Sequence, residues 1–273
     1  MGKTLFLIDG HAQIFRAYFA IRGGLTSPAG EPTQALFGFT GMLLKLLSQN
    51  KPEYAVMAID SPGPTFRDEL FEDYKGTRPP APDDLVAQIP RILELTELFG
   101  LKVLGVPGLE ADDIIATITR HVLDRPELGD FDVRIVSRDK DLEQLLGERV
   151  ALYDIHTDET LDTAGLLAKK GIRPDQVIDY LSLTGDTADN VPGVPGIGPK
   201  TAAQLLQQFD SVEGIMANLA QIKGKRGETL SQSANQLALA RRLVTLESNG
   251  DFPFTIDDAR VRPLRLETIL ARF

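Results

Sequence analysis

Short, mostly apolar runs alternate along the first part of the chain with stretches in which apolar residues recur every three or four positions. Residues 3–8, 54–59, 101–104, 132–136 and 150–155 are compact runs of the kind that form buried strands. Residues 12–21, 34–47 and 83–99 carry helical spacing, and in the second of these Leu36, Phe39, Leu43, Leu44 and Leu47 share a core face. Pro32 suits the start of that helix, and Asp83 is placed to cap the third, which runs to Phe99 through Pro90. Residues 150–155 read as the last strand, with Thr157 and Asp158 in a turn. From Leu161 the pattern becomes helical: residues 174–183, 204–209, 212–219 and 237–246. The tail from Asp251 holds only short apolar fragments. The expected division is an α/β unit over 1–160 and a helical region over 161–273.

Two stretches break the alternation. Residues 61–90 carry prolines at 62, 64, 79, 80, 82 and 90, and between them Phe66, Leu70 and Tyr74 recur at four-residue spacing, which predicts a short amphipathic helix followed by Lys75 and Arg78. A proline-flanked segment leaving a strand end reads as a mobile cover whose cations meet phosphate and whose aromatics meet bases. The second is Gly196-Ile197-Gly198-Pro199-Lys200, a tight turn feeding a helix; its free backbone N–H groups and Lys200 suit one phosphate.

Composition narrows the classes. A length of 273 residues, 42% of them hydrophobic, supports one large or two modest domains. The absence of cysteine excludes disulfides and thiolate metal sites, and three histidines make an imidazole-centred hydrolase implausible. The N-terminal apolar run is too short for a signal peptide, and the longest apolar stretch is interrupted by Lys45, so a cytoplasmic protein without a membrane span is expected. The net charge of −10 argues at first against a nucleic-acid partner.

The placement of the acids changes that picture. Residues 108–113 put Glu110, Asp112 and Asp113 within four positions, directly before the apolar helical run of Ile114, Ile115, Ile118 and Val122. One acid there would serve as a helix cap; three repel one another unless a cation sits among them, which favours a metal site. Asp9 and Asp60 each end a strand, and Asp139 and Asp141 follow another, where parallel sheets gather their ligands. An aspartyl nucleophile would want Asp-x-Asp after the first strand, but His11 fills the second position. Hard divalent ions prefer such oxygen ligands.

Taken together, Leu7-Ile8-Asp9-Gly10, the run from Thr65 to Phe71, Tyr74-Lys75 with Arg78-Pro79-Pro80, Glu110-Ala111-Asp112-Asp113, Asp139-Lys140-Asp141-Leu142 and residues 185–202 resemble the 5′-nuclease family, above all the 5′→3′ exonuclease domain of bacterial DNA polymerase I. The resemblance covers essentially the whole chain. It implies a PIN-like three-layer α/β domain with a mostly parallel sheet, a helical arch over about residues 61–90, and a helix-hairpin-helix element near 185–210. It further implies two Mg²⁺ or Mn²⁺ ions among Asp9, Asp60, Glu110, Asp112, Asp113, Asp139, Asp141, Asp186 and Asp189. Setting those nine acids aside leaves 30 acidic against 29 basic side chains, so the charge excess would sit in one pocket. By the same resemblance Lys75 and Arg78 act on the scissile phosphate, with Asp113 beside them as a catalytic acid. Arg16 and Tyr74 lie near the DNA 5′ region, and Gly196, Gly198 and Lys200 grip the backbone, with a monovalent cation at the hairpin. The implied activity is structure-specific 5′→3′ exonuclease and flap cleavage in primer removal and repair. The implied setting is the bacterial nucleoid, as a monomer or as part of a longer polymerase chain. A non-catalytic junction-binding module would have lost acids, and none is lost; a PIN-type RNase would lack reason for the long arch.

Overall fold

The apolar runs pair side by side as β1 (Lys3–Asp9), β2 (Tyr54–Ile59), β3 (Lys102–Gly105), β4 (Phe131–Val136), β5 (Val150–Asp154) and β6 (Glu159–Leu161) of a computed structural model that describes residues 2–21, 23–128 and 130–273. They form one sheet in the order β3-β2-β1-β4-β5-β6, parallel except for β6, which joins β5 antiparallel. Side-chain alternation on the central strand serves two cores. Leu5 and Leu7 face one cluster, while Phe6 and Ile8 face the other.

The second cluster is covered by α1 (Gly10–Ala20), α2 (Gln34–Lys45) and, beyond α3 (Phe66–Leu70) and α4 (Asp83–Val86), by α5 (Ile89–Leu98). The first is covered by α6 (Ala111–Leu123) and runs on without a break into α7 (Thr163–Lys170), α8 (Val177–Thr184), α9 (Pro199–Phe209), α10 (Val212–Ala217), α11 (Lys225–Gln232) and α12 (Ala234–Val244). The result is the expected three-layer α/β arrangement with a helical region behind it. No helix among the described residues is long and apolar enough to cross a membrane.

The chain moves outward from β1 to β2 and β3, then returns to the other side of β1 with β4 and β5. Adjacent connections therefore diverge between β1 and β4, and ligands of open parallel sheets collect at the carboxyl ends beside such a switch. Asp9 ends β1, Asp60 follows β2, and Ser137 and Asp139 follow β4.

Several boundaries depart from the sequence pattern. The helix through Tyr74 stops at Leu70, because Phe71 turns extended at φ −150 and ψ 102. Asp83 lies in the first turn of α4 rather than capping it, and the single helix to Phe99 is two, α4 and α5. The break frees Gln88, 2% exposed, whose Oε1 accepts the N–H groups of Ala35 (2.8 Å) and Leu36 (3.1 Å) and so caps α2 from outside. Residues 150–155 are not the last strand: the turn at Asp158 brings back β6. The tail, unpatterned in sequence, lies along the sheet edge, where Ala55 N–H donates to Ala259 O (2.7 Å) and Arg262 N–H to Gly100 O (2.8 Å). It ends in α13 (Leu266–Arg272), which packs on α5.

One close crossing joins the helical region to the loop after α8. A Cβ on Gly193 would fall 2.3 Å from the carbonyl carbon of Thr184 and 2.4 Å from Gly185 N, so only glycine fits. Gly193→Ala should lower stability by about 1–3 kcal/mol through backbone displacement. Gly41→Ala, on an exposed turn of α2 with no atom within 4 Å of its would-be Cβ, should raise it by about 0.5–1 kcal/mol. Urea midpoints of the two variants are expected to move in opposite directions.

Candidate active site

Each acid is set by the element it terminates. Asp9 caps α1, with Oδ1 accepting from Ala12 N–H (3.2 Å) and Oδ2 from Ser137 Oγ (2.8 Å). The same Ser137 hydroxyl accepts from Asp139 N–H (3.0 Å), so one side chain holds the ends of β1 and β4 together. Asp60 Oδ1 accepts from Ala111 N–H (2.8 Å), tying the end of β2 to the start of α6. Glu110 is the N-cap residue of α6.

These carboxylates converge. Asp9, Asp60, Glu110, Asp112, Asp139 and Asp189 line one cavity of about 380 Å³, together with His11, Phe15, Lys75 and Arg78. Carboxylate oxygens of Asp141, Asp186 and Asp189 lie within 4.8 Å of one another, so Asp189 belongs to both groups. Eight of the nine acids singled out in the sequence therefore share a single region spanning positions 9 to 189.

Asp113 is the exception. It is fully buried, and its Oδ2 and Oδ1 accept from Arg67 Nη1 (2.7 Å) and Nη2 (2.8 Å). Its oxygens also accept the N–H groups of Glu110 (3.1 Å) and Glu247 (2.9 Å). With both oxygens so engaged, Asp113 is not available to the cavity as ligand or catalytic acid; it positions Glu110. Arg67, which sequence reasoning passed over, is 1% exposed and also donates to the carbonyls of Leu243 and Thr245. Burial works against its charge, but the Asp113 carboxylate overrides it and the guanidinium stays protonated.

Burial, with crowding added, shows in the protonation of the acids. Burial is the largest cause in each case. It raises Asp9 to about 6, with Asp139 and Asp60 adding to it and the Ser137 and Ala12 hydrogen bonds opposing. It raises Asp141 to about 8, helped by Asp139, Asp186 and Asp189 and opposed by Lys140. Asp112 is likewise held well above the carboxylate range by burial and by Asp9 and Asp139. Asp141 Oδ1 is buried with no hydrogen-bond partner. An all-oxygen donor set, like charges in close contact and an orphaned carboxylate oxygen together fit hard divalent cations.

The bases of the proline-flanked segment meet these acids directly. Lys75 Nζ lies 2.7 Å from Glu110 Oε1, and Arg78 pairs with Asp189 while its Nε donates to Ala188 O (3.1 Å). The segment is closed onto the acidic loop by Lys75 N–H to Asp189 O (2.9 Å) and Asn190 Nδ2 to Asp73 O (2.8 Å). Lys140 Nζ adds a third cation, 2.7 Å from Asp186 Oδ1.

Two expected DNA contacts are placed otherwise. Tyr74 is 7% exposed, with its hydroxyl 3.2 Å from both Glu110 Oε2 and Asp189 Oδ2; it lies beneath the acids instead of offering its ring to a base. Arg16 is gripped by Asp154, with Nη1 2.8 Å from Oδ1 and Nη2 3.2 Å from Oδ2. The hairpin matches its pattern. Gly196 takes φ +79, Gly198 is the N-cap of α9 with Pro199 following, and Ile197, 4% exposed, anchors the turn. Lys200 is exposed.

Removing Arg67 leaves a buried carboxylate unpaired. Arg67→Ala should cost about 3–5 kcal/mol in chemical denaturation, whereas Arg138→Ala, exposed and 3.5 Å from Asp154, should cost at most about 1 kcal/mol.

Comparison with known proteins agrees with this architecture. The family described as "5'-3' exonuclease, N-terminal resolvase-like domain" matches residues 4–171, and "5'-3' exonuclease, C-terminal SAM fold" matches residues 172–267. A thermostable DNA polymerase I of Thermus thermophilus is 42% identical over 271 residues, covering 99% of this chain and 31% of the polymerase, so the chain spans about a third of that relative's length. A 5'-3' exonuclease of Aquifex aeolicus (strain VF5) is 38% identical over 260 residues, covering 95% of this chain and 87% of the relative. The solved bacteriophage T5 flap endonuclease, in a pseudo-enzyme–product complex with DNA and metal ions, shares the fold with a TM-score of 0.74 at 22% identity, covering 90% of each chain. On the strength of the match to both halves and of the Aquifex relative's near-complete alignment, this chain belongs to the 5'-3' exonuclease family.

Proposed function

We propose that the chain hydrolyses phosphodiester bonds of DNA bearing a free 5′ end, a 5′ flap or a nick, as a metal-dependent 5′→3′ exonuclease and flap endonuclease. The observation that carries this reading is the convergence of eight carboxylates at the sheet's switch point, with Lys75 and Arg78 closed over them.

Asp9, Asp60, Glu110, Asp112, Asp139 and Asp189 would hold divalent ions in the cavity, with Asp141 and Asp186 joining Asp189 at its edge. When bound, two such ions, Mg²⁺ or Mn²⁺, supply a lowered pKa for the attacking water and charge stabilisation for the leaving oxygen. Ser137 keeps Asp9 and Asp139 in register, and Arg67 through Asp113 keeps Glu110 in place. Lys75 and Arg78, which neutralise Glu110 and Asp189 in this structure, are released toward phosphate once those acids are otherwise neutralised. The Gly196–Gly198 turn and Lys200 would bind duplex backbone, positioning without reading sequence, with a monovalent cation on its carbonyls. The chain would act as a monomer, alone or as the nuclease part of a longer polymerase.

Four outcomes test the reading. Cleavage of a 5′-flap duplex should require Mg²⁺ or Mn²⁺ and stop in chelator, and Asp139→Asn should abolish it; ion-independent cleavage would overturn the reading. Lys75→Ala should lower kcat by about 10²–10³-fold while calorimetry still detects ion uptake. Divalent ions at about 100 times Kd should raise the thermal midpoint by on the order of 5 °C. Asp141→Asn should raise the midpoint in chelator, by removing repulsion, and shrink the ion-induced rise.

A further inference from the structure

We infer that His11 is a substrate-binding residue whose Nε2–H donates to a non-bridging phosphate oxygen of the strand being cut; this rests on the nuclease reading above. His11 stands one residue into α1, between Asp9 and Asp60 on the wall of the acidic cavity. Its side chain is 25% exposed, toward that cavity.

The hydrogen bonding of the ring decides which nitrogen can do what. Asp60 N–H donates to His11 Nδ1 at 3.1 Å. A backbone amide can only donate, so Nδ1 is the acceptor and the ring N–H is on Nε2. Asp60 Oδ2 lies farther from the same nitrogen, at 3.4 Å. Among the described residues Nε2 makes no hydrogen bond to protein. The other two histidines are accounted for by packing: His156 Nε2 meets Gln13 Oε1 at 3.3 Å, and the His121 ring lies edge-on to Phe254.

With Nδ1 taken up by the Asp60 amide, the ring presents an N–H rather than a lone pair to the cavity. It suits an anion. The cavity's cations lie elsewhere: Lys75 is drawn to Glu110 and Arg78 to Asp189, while His11 sits at Asp60. A phosphate held among ions on the acids would therefore meet charged donors from the proline-flanked segment and one imidazole N–H from α1. That imidazole N–H contributes a directed hydrogen bond to the phosphate oxygen.

A purely structural role would need only Nδ1, and two substitutions separate the roles. The Oδ1 of His11→Asn can take the Asp60 amide but leaves nothing at Nε2; the amide of His11→Gln can reach the Nε2 position but does not reproduce Nδ1. Both variants are first shown to melt within a few degrees of wild type. In single-turnover cleavage of a 5′-flap duplex with Mg²⁺, His11→Asn should lose about 10- to 100-fold, and its affinity for the same flap in Ca²⁺ should fall, while His11→Gln stays closer to wild type in both. Uncharged methylphosphonate placed in turn at each phosphate around the cut should slow wild type and His11→Asn unequally at one position, the site of the lost contact. Wild-type rates in His11→Asn, or equal sensitivity of both proteins at every position, overturn the inference. A wild-type chain that cleaves no flap ends the nuclease reading and this inference with it, whereas a cleaving wild type matched by His11→Asn ends the inference alone.

Discussion

Eight carboxylates drawn to the carboxyl end of one sheet repel one another, and burial deepens the repulsion by stripping away water. The fold meets this with fixed donors. Backbone amides of Ala12 and Ala111, the Ser137 hydroxyl, and the cations of Lys75, Arg78 and Lys140 all point into the cluster. They do not finish the task, since Asp9 and Asp141 still stand raised to about 6 and about 8. The remaining cost, burial first and mutual repulsion second, would be relieved by cations, and the surrounding hydrogen bonds hold the acids in place.

The buried Arg67–Asp113 pair is the main restraint outside the cluster. A buried ion pair seldom stabilises a fold more than apolar residues of the same volume would. Here it supplies geometry instead. Arg67 joins α3 to α6 through Asp113 and to the end of α12 through the carbonyls of Leu243 and Thr245. Asp113 passes the restraint to Glu110 and to Glu247. The α3 helix, the start of the acid-bearing α6 and the end of α12 are thus held by one guanidinium.

The hairpin is linked to the same centre by covalent proximity and close packing. The loop carrying Asp186 and Asp189 closes on itself between Asp186 and Val191, and Gly193 then crosses Gly185 at backbone contact. Only four residues separate Val191 from Gly196, so a phosphate on the turn and ions on the acids would be held in a fixed relation. The proline-flanked segment rests on that same loop through Lys75, Arg78 and Asn190.

Apolar periodicity and acids at strand ends were enough to expose the parallel sheet and the acidic cluster, because both signals are local: a buried strand is mostly apolar, and its terminus falls where the run stops. The hairpin was legible for the same reason, since a tight turn needs its glycines in sequence. Partner choice was not legible. Asp113 shares its motif with Glu110 and Asp112, and only the approach of Arg67 from 46 positions away takes it out of the cavity. Tyr74 reads as an exposed aromatic until Glu110 and Asp189 close over it, and Arg16 reads as free until Asp154 grips it. The return of the tail to the sheet edge and the capping of α2 by Gln88 likewise join segments far apart in the chain. Sequence determined which groups carry charge and which runs are buried; folding alone decided which charges meet, because electrostatic pairing depends on separation in space, for which separation along the chain is no guide.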